Sequence, residues 1–138
     1  MASPMSRSLE WLREHGYTVD RSESWLRFPD PKSRKCEACG STRQISARKD
    51  LFGFSDIVAV GMGQTIFVQT TDTGDQQKRI KKISGLAEAT VILSAGNFIH
   101  VHGWYQRANR RWHLTIHELT LDEFGEITAR LLPEEGAQ

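Results

Sequence analysis

Apolar positions along the 138-residue chain fall into short runs whose spacing changes from helical to alternating and back. Ser3 can cap a helix with Pro4 in its first turn, Met5, Leu9 and Leu12 then share one face, and Gly16 can end it. Residues 17–28, YTVDRSESWLRF, alternate imperfectly and predict a first strand, broken by Pro29, Asp30 and Pro31. Residues 32–48 are polar and rich in Lys and Arg, which predicts an exposed loop or small insertion carrying Cys36 and Cys39. Residues 55–60 are a short β-branched run that ends at Gly61-Met62-Gly63, and residues 65–71 form a second run, so the pair reads as a β-hairpin.

Thr73-Gly74-Asp75-Gln76 has the spacing of a capping box, and Ile80 and Ile83 mark the buried stripe of the helix that follows. Its other face carries Lys78, Arg79 and Lys82. Gly85 interrupts it, a second helical piece covers residues 86–95, and strands at 98–105 and 112–121 flank the polar turn QRANRR. From about residue 125 the chain reads as a peripheral tail that frays at PEEGAQ. The order helix, strand, hairpin, helix, strand, strand predicts one α/β domain over residues 1–138, with a central mixed sheet of about four or five strands flanked by helices.

Composition changes this picture little. A hydrophobic content of 38% with 25% charged residues suits a chain with a real core. The net charge of +1 means that a nucleic-acid partner needs a local basic surface. No secretory leader pattern opens the chain and no run of about 18 apolar residues occurs, so a cytoplasmic location without membrane contact is expected.

Chemistry concentrates in the centre. Lys49-Asp50-Leu51-Phe52-Gly53-Phe54-Ser55-Asp56-Ile57-Val58-Ala59-Val60, followed by Val68-Gln69-Thr70-Thr71, resembles the PD-(D/E)XK nuclease superfamily, in particular small phage and prophage proteins related to Holliday junction resolvases. The resemblance extends over roughly residues 9–119, including the basic helix, His102-Gly103-Trp104 and Arg111-Trp112. It implies a restriction-endonuclease-like core and a divalent-metal-dependent DNA endonuclease, possessing Mg or Mn and acting on branched or structured DNA, in a bacterial or phage-infected host. It also implies a homodimer, because two matched strands are cut. By the same resemblance Asp56 takes the place of the first metal-binding acid, Gln69 that of the second acid and Thr71 that of the lysine, with Glu23 as a further carboxylate. Residues separated by one share a strand face, so such a triplet can meet one phosphate and one metal.

This chain departs from the pattern at two places. Gln69 offers a carbonyl but no charge, and Thr71 a hydroxyl but no cation. Lys78 on the helix, or Lys49 before the hairpin, is the replacement cation that would orient water together with Thr71. The alternatives are a non-catalytic DNA-binding or protein-interaction module on the same fold, with Gln69 and Thr71 a hydrogen-bonded pair at a sheet edge, or a phage-encoded protein acting on a host factor.

Other signals are weaker. Phe52 and Phe54 around Gly53 read as loop anchors in the core, and Asp50 as a turn or capping residue, with aid to the metal site as the alternative. Cys36-Glu37-Ala38-Cys39-Gly40 has the spacing of half a zinc knuckle; a structural zinc would need His15, another histidine or a second subunit to complete four ligands. His100 and His102 share a strand face and are expected to be half exposed, or to touch metal or phosphate. Lys78, Arg79, Lys81 and Lys82, with Arg107, Arg110 and Arg111 beside Trp112, form two basic groups that could grip phosphates near Asp56.

Overall fold

The computed structural model describes residues 2–32 and 34–133. Ser33, in the polar stretch, and most of the expected fraying end, residues 134–138, lie outside the described residues. Helix α1, Pro4–Glu14, starts where the sequence places it, with Ser3 Oγ accepting from the Ser6 amide and Pro4 in the first turn. It is followed by β1, Thr18–Arg21, β2, Ser24–Pro29, β3, Gln44–Lys49, β4, Ile57–Gly61, and β5, Gln64–Asp72. A 3₁₀ turn at Thr73–Asp75 leads into α2, Gln76–Ser84; then come α3, Ala87–Ser94, β6, Phe98–Gln106, β7, Trp112–Leu121, and β8, Ile127–Leu131. Among the described residues no helix is long and apolar enough to cross a membrane.

The protein is an α/β sandwich built on a mixed six-stranded sheet of order β1-β4-β5-β6-β7-β8, in which β5 and β6 are parallel and every other pair is antiparallel. Helix α1 covers one face, where Leu9 and Leu12 meet Ile57, Ala59, Ile66 and Val68. Helices α2 and α3 form the crossover between the parallel strands and cover the other face, where Ile80, Ile83, Ala89 and Ile92 pack with Ile99, Val101, Leu119 and Phe54. The β4–β5 turn is the two-residue kind that the sequence predicts. Met62 and Gly63 both have positive φ, 52° and 73°, which matches the twist of the paired strands.

Three stretches differ from the sequence reading. The expected first strand is two strands in two sheets. At Ser22 the chain makes its last bonds to the main sheet, its amide to the Asp56 carbonyl at 2.8 Å and its hydroxyl to the Ser55 carbonyl at 2.8 Å, and then turns away. Beyond it β2 pairs with β3 in a separate two-stranded ribbon, so residues 44–48 of the expected polar insertion are strand. The expected tail contributes β8, which pairs with β7 from His117↔Leu131 to Leu121↔Ile127 and makes the sheet wider than anticipated.

Two aromatic and histidine expectations also change. Phe54 is fully buried in the core as expected, but Phe52 is 44% exposed and meets Phe67 edge-on at a centroid distance of 5.8 Å. His100 and His102 are buried rather than half exposed. They face α1: His102 Nδ1 lies 2.9 Å from Ser8 Oγ, and Trp104 Nε1 donates to the same oxygen at 2.8 Å. His100 Nε2 lies 2.9 Å from Glu118 Oε2, whose other oxygen accepts from Arg130 at 3.0 Å. Both histidines are buried, and neither lines the cleft at Asp56.

Candidate metal centre

Asp56 sits one residue before β4, and its amide bonds the Val68 carbonyl at 2.8 Å, which fixes it beside the far half of β5. Oδ2 accepts three hydrogen bonds, from Gln69 Nε2 at 2.8 Å, the Thr70 amide at 2.9 Å and Thr70 Oγ1 at 3.1 Å. The residue is only 6% exposed. Burial pushes its carboxyl up from the usual range to about 6, and the neighbouring charge of Asp50 adds to that, while the bonds from Thr70 work in the opposite direction.

Two further carboxylates are brought to Asp56 by the ribbon. Ser24 pairs with Lys49 as the pair nearest its base, so Glu23 and Asp50 are the residues that flank that pair. Residues remote in sequence therefore become neighbours through strand register. Glu23, Asp50 and Asp56 each place a carboxylate oxygen within 4.8 Å of the others. This triad could hold a metal ion: three hard oxygen donors converge on one point, and the raised Asp56 pKa is the response of a buried carboxyl crowded by another carboxylate.

The triad opens into a cleft whose wall also includes Gln69 and Thr70, the cap and first two residues of α1 (Ser3, then Pro4 and Met5), and three arginines, Arg21, Arg48 and Arg79. Arg48 NH1 lies 3.2 Å from Glu23 Oε2, tying the ribbon to the acidic cluster. At the start of α1 Pro4 has no amide hydrogen and the Ser6 and Arg7 amides are bonded to Ser3, so what the helix end brings to the cleft is chiefly the positive end of its dipole.

Of the residues singled out in the sequence, Asp56, Glu23 and Gln69 meet here. Gln69 is buried, and its Nε2 donates to Asp56 Oδ2 at 2.8 Å and to the Thr70 carbonyl at 3.3 Å. Thr71 is buried, opposite Gly103, and does not line the cleft; the threonine that does is Thr70. Lys78 and Lys82 are exposed on α2, and the helix cation that lines the cleft is Arg79. Arg110 and Arg111 are exposed in the β6–β7 turn, outside the cleft wall but at the same end of the sheet, where β5 and β6 both finish.

Both readings of Asp50 have a counterpart in the structure: its carbonyl accepts from the Gly53 amide at 3.1 Å in a turn, and its carboxylate lies in the triad. The β2–β3 register is what makes it a neighbour of Glu23, a pairing the sequence reading did not contain.

Cys36 and Cys39 are exposed free thiols at the far end of the ribbon loop. The Gly40 amide bonds the Cys36 carbonyl at 2.8 Å, closing a tight turn around the pair. Hydrogen bonding by the Ser41 hydroxyl and backbone brings the Cys39 thiol down to about 7. His15 cannot complete a zinc site: it caps the far end of α1, with Nδ1 2.7 Å from the Trp11 carbonyl, near the β4–β5 turn rather than the ribbon.

No protein-family model, no curated protein and no solved structure matches this chain.

Proposed function

We propose that the protein is a divalent-metal-dependent DNA endonuclease of the PD-(D/E)XK type, with a divergent acid-x-lysine position and a preference for branched or structured DNA. The observation that carries this is the triad of Glu23, Asp50 and Asp56 at one sheet end, walled by Arg21, Arg48, Arg79 and the start of α1. Carboxylates alone would repel DNA. Carboxylates ringed by guanidinium groups and the positive end of a helix suit a phosphodiester held beside a cation.

Glu23, Asp50 and Asp56 would hold Mg²⁺ or Mn²⁺, with the Gln69 carbonyl as a neutral fourth oxygen. When bound, the ion supplies water activation and neutralises charge at the scissile phosphate. Gln69 and Thr70 fix the Asp56 carboxylate through three bonds, so that its Oδ1 is the oxygen left to the ligand. Asp50 makes up for the acid that Gln69 does not provide. Arg79 grips phosphate in place of Lys78, while Arg110 and Arg111 extend the basic surface along the same end of the sheet.

The second reading, a DNA-binding module that no longer cuts, rests on the same departures: the cleft wall contains arginines and no lysine. An arginine does not readily give or take a proton near neutral pH. Mg²⁺- or Mn²⁺-dependent cleavage of linear, flapped and four-way DNA, with Asp56→Ala purified in parallel, separates the two. Cleavage by the wild type and none by the variant supports the nuclease. DNA binding without cleavage by either supports the module.

A structural zinc on Cys36 and Cys39 is a separate proposal. Among the described residues no third metal-ligating group clusters with the two thiols, so a closed four-ligand site takes the same pair from a second copy. Zinc and a homodimer then stand or fall together.

A further inference from the structure

The β2–β3 ribbon has no core of its own. Every residue of β2 is exposed, including Trp25 at 68%, Leu26 at 45% and Phe28 at 38%. A two-stranded ribbon is marginal in water without packing support, and large side chains displayed on one call for a ligand. Cross-strand register divides its side chains between two faces. Leu26 and Phe28 share one with Ala47 and Ile45, while Trp25 and Arg27 share the other with Arg48 and Ser46.

The second face borders the acidic cleft. Arg48 lines that cleft, reaches Glu23 at 3.2 Å and has its guanidinium 5.9 Å from the centre of the Trp25 ring. Neither strand contains an acidic residue; the cations of this face are Arg27 and Arg48, the latter paired with Glu23. An exposed indole between two arginines offers a π surface and phosphate contacts together, and a base offers its own π surface only where it is not stacked inside a duplex.

We propose that Trp25 stacks on an unpaired base next to the phosphate held at the carboxylate triad, with Arg27 and Arg48 on the flanking backbone, so that the site selects DNA containing unpaired nucleotides over continuous duplex. This rests on the nuclease reading of the cleft and adds the feature of the substrate that the cleft reads. The ribbon is also the element that positions Glu23 and Asp50, so a base seated on Trp25 places its neighbouring phosphate at the triad.

The test is the affinity of the whole protein for a single-stranded oligonucleotide, a gapped duplex and a continuous duplex of equal length. Binding is measured in metal-free buffer for the wild type, Trp25→Ala and Trp25→Phe, with cleavage assayed separately in Mn²⁺. The expected result is tighter binding of the single-stranded and gapped DNA by the wild type. Trp25→Ala loses roughly 5- to 100-fold of that affinity with little change on continuous duplex, and Trp25→Phe keeps most of it. Equal loss on all three DNAs, or none, overturns the proposal, as does a Trp25→Ala change confined to the sedimentation mass, which would make the ribbon a contact between copies. Trp25-dependent binding without cleavage overturns only the nuclease reading, and cleavage without Trp25 dependence overturns only the stacking.

Discussion

Gln69 donates its side-chain amide to Asp56 Oδ2 at 2.8 Å, so the residue standing where the resemblance places a second acid serves to hold the first one. Two bonds from Thr70 reach the same oxygen. They orient a carboxylate that burial, with the charge of Asp50, has pushed up to about 6. A group whose folded pKa lies above its unfolded value stabilises fully below the unfolded value, near 4, and loses that contribution as pH rises through about 6. Asp56→Asn keeps an oxygen for Gln69 and Thr70 and removes the charge. In metal-free buffer it is expected to be more stable than the wild type at pH 7.5, by on the order of 1–3 kcal/mol, and to gain little at pH 4. Denaturant unfolding at the two pH values measures this, and an equal loss at both would show that the carboxylate is not strained.

The histidine pair makes a prediction of opposite sign. His102 is fully buried and bonded through Nδ1 to Ser8, and burial, then the neighbouring His100, brings it down to about 3. Its folded pKa lies below its unfolded value, so stability is lost as pH falls below about 6.5, by up to roughly 1.4 kcal/mol per unit. Between about 4 and 6 this loss is offset in the wild type by the gain from Asp56. The Asp56→Asn protein should therefore show a steeper acid decline over that window than the wild type. Ser8→Ala, which strips both His102 and Trp104 of their partner, is expected to cost about 1–3 kcal/mol at pH 7.5 by the same unfolding measurement.

Gly103 and Gln76 are matched. Gln76 lies against the bare backbone of Gly103, and its Nε2 donates to the Val101 carbonyl at 3.0 Å and the Thr115 carbonyl at 2.9 Å, clamping the start of α2 to β6 and β7. A Cβ at position 103 would collide with that amide. Gly103→Ala should cost at least ~1–3 kcal/mol, and most of that cost should vanish in the Gln76→Ala background, where the collision is absent. A double-mutant cycle in denaturant reads the coupling; strict additivity would mean that Gly103 is needed for another reason.

Much of the fold was legible because its central elements obey one period each. Ile57, Ala59, Ile66 and Val68 alternate and are buried beneath α1, and Ile80 and Ile83 recur at helical spacing on the other face. The site was legible in half. Asp56, just before β4, and Gln69, on β5, flank the first pair of a hairpin joined by a two-residue turn, so local pattern places them together. The ribbon was legible in part: β2 falls within the expected first strand, but β3 lies in a stretch read as a polar loop, where only Ile45 and Ala47 are half-buried, and with it went the pairing that brings Asp50 to Glu23. Which helix cation borders the cleft was not legible for a different reason. Neighbouring helix residues differ by about 100° in direction, and which of Lys78 and Arg79 faces the cleft depends on how α2 is seated by Gln76.

The thiol pair gives a stoichiometric prediction. A zinc shared by two copies amounts to about half an equivalent per chain by elemental analysis, and Cys36→Ser with Cys39→Ser should abolish the metal and halve the sedimentation mass together. Dimers that persist without zinc, or a full equivalent per monomer, would separate the two properties and remove the shared site.

The central claim is that Glu23, Asp50 and Asp56 form a divalent-cation site, and calorimetric titration of the metal-free protein with Mn²⁺ at pH 7.5 tests it most directly, with Asp56→Asn and Asp50→Asn alongside. The expected result is one saturable site in the wild type, weakened at least tenfold in each variant, with Mn²⁺ raising the melting temperature of the wild type only. Mn²⁺ binding that is absent from the wild type, or that survives unchanged in both variants, would contradict it.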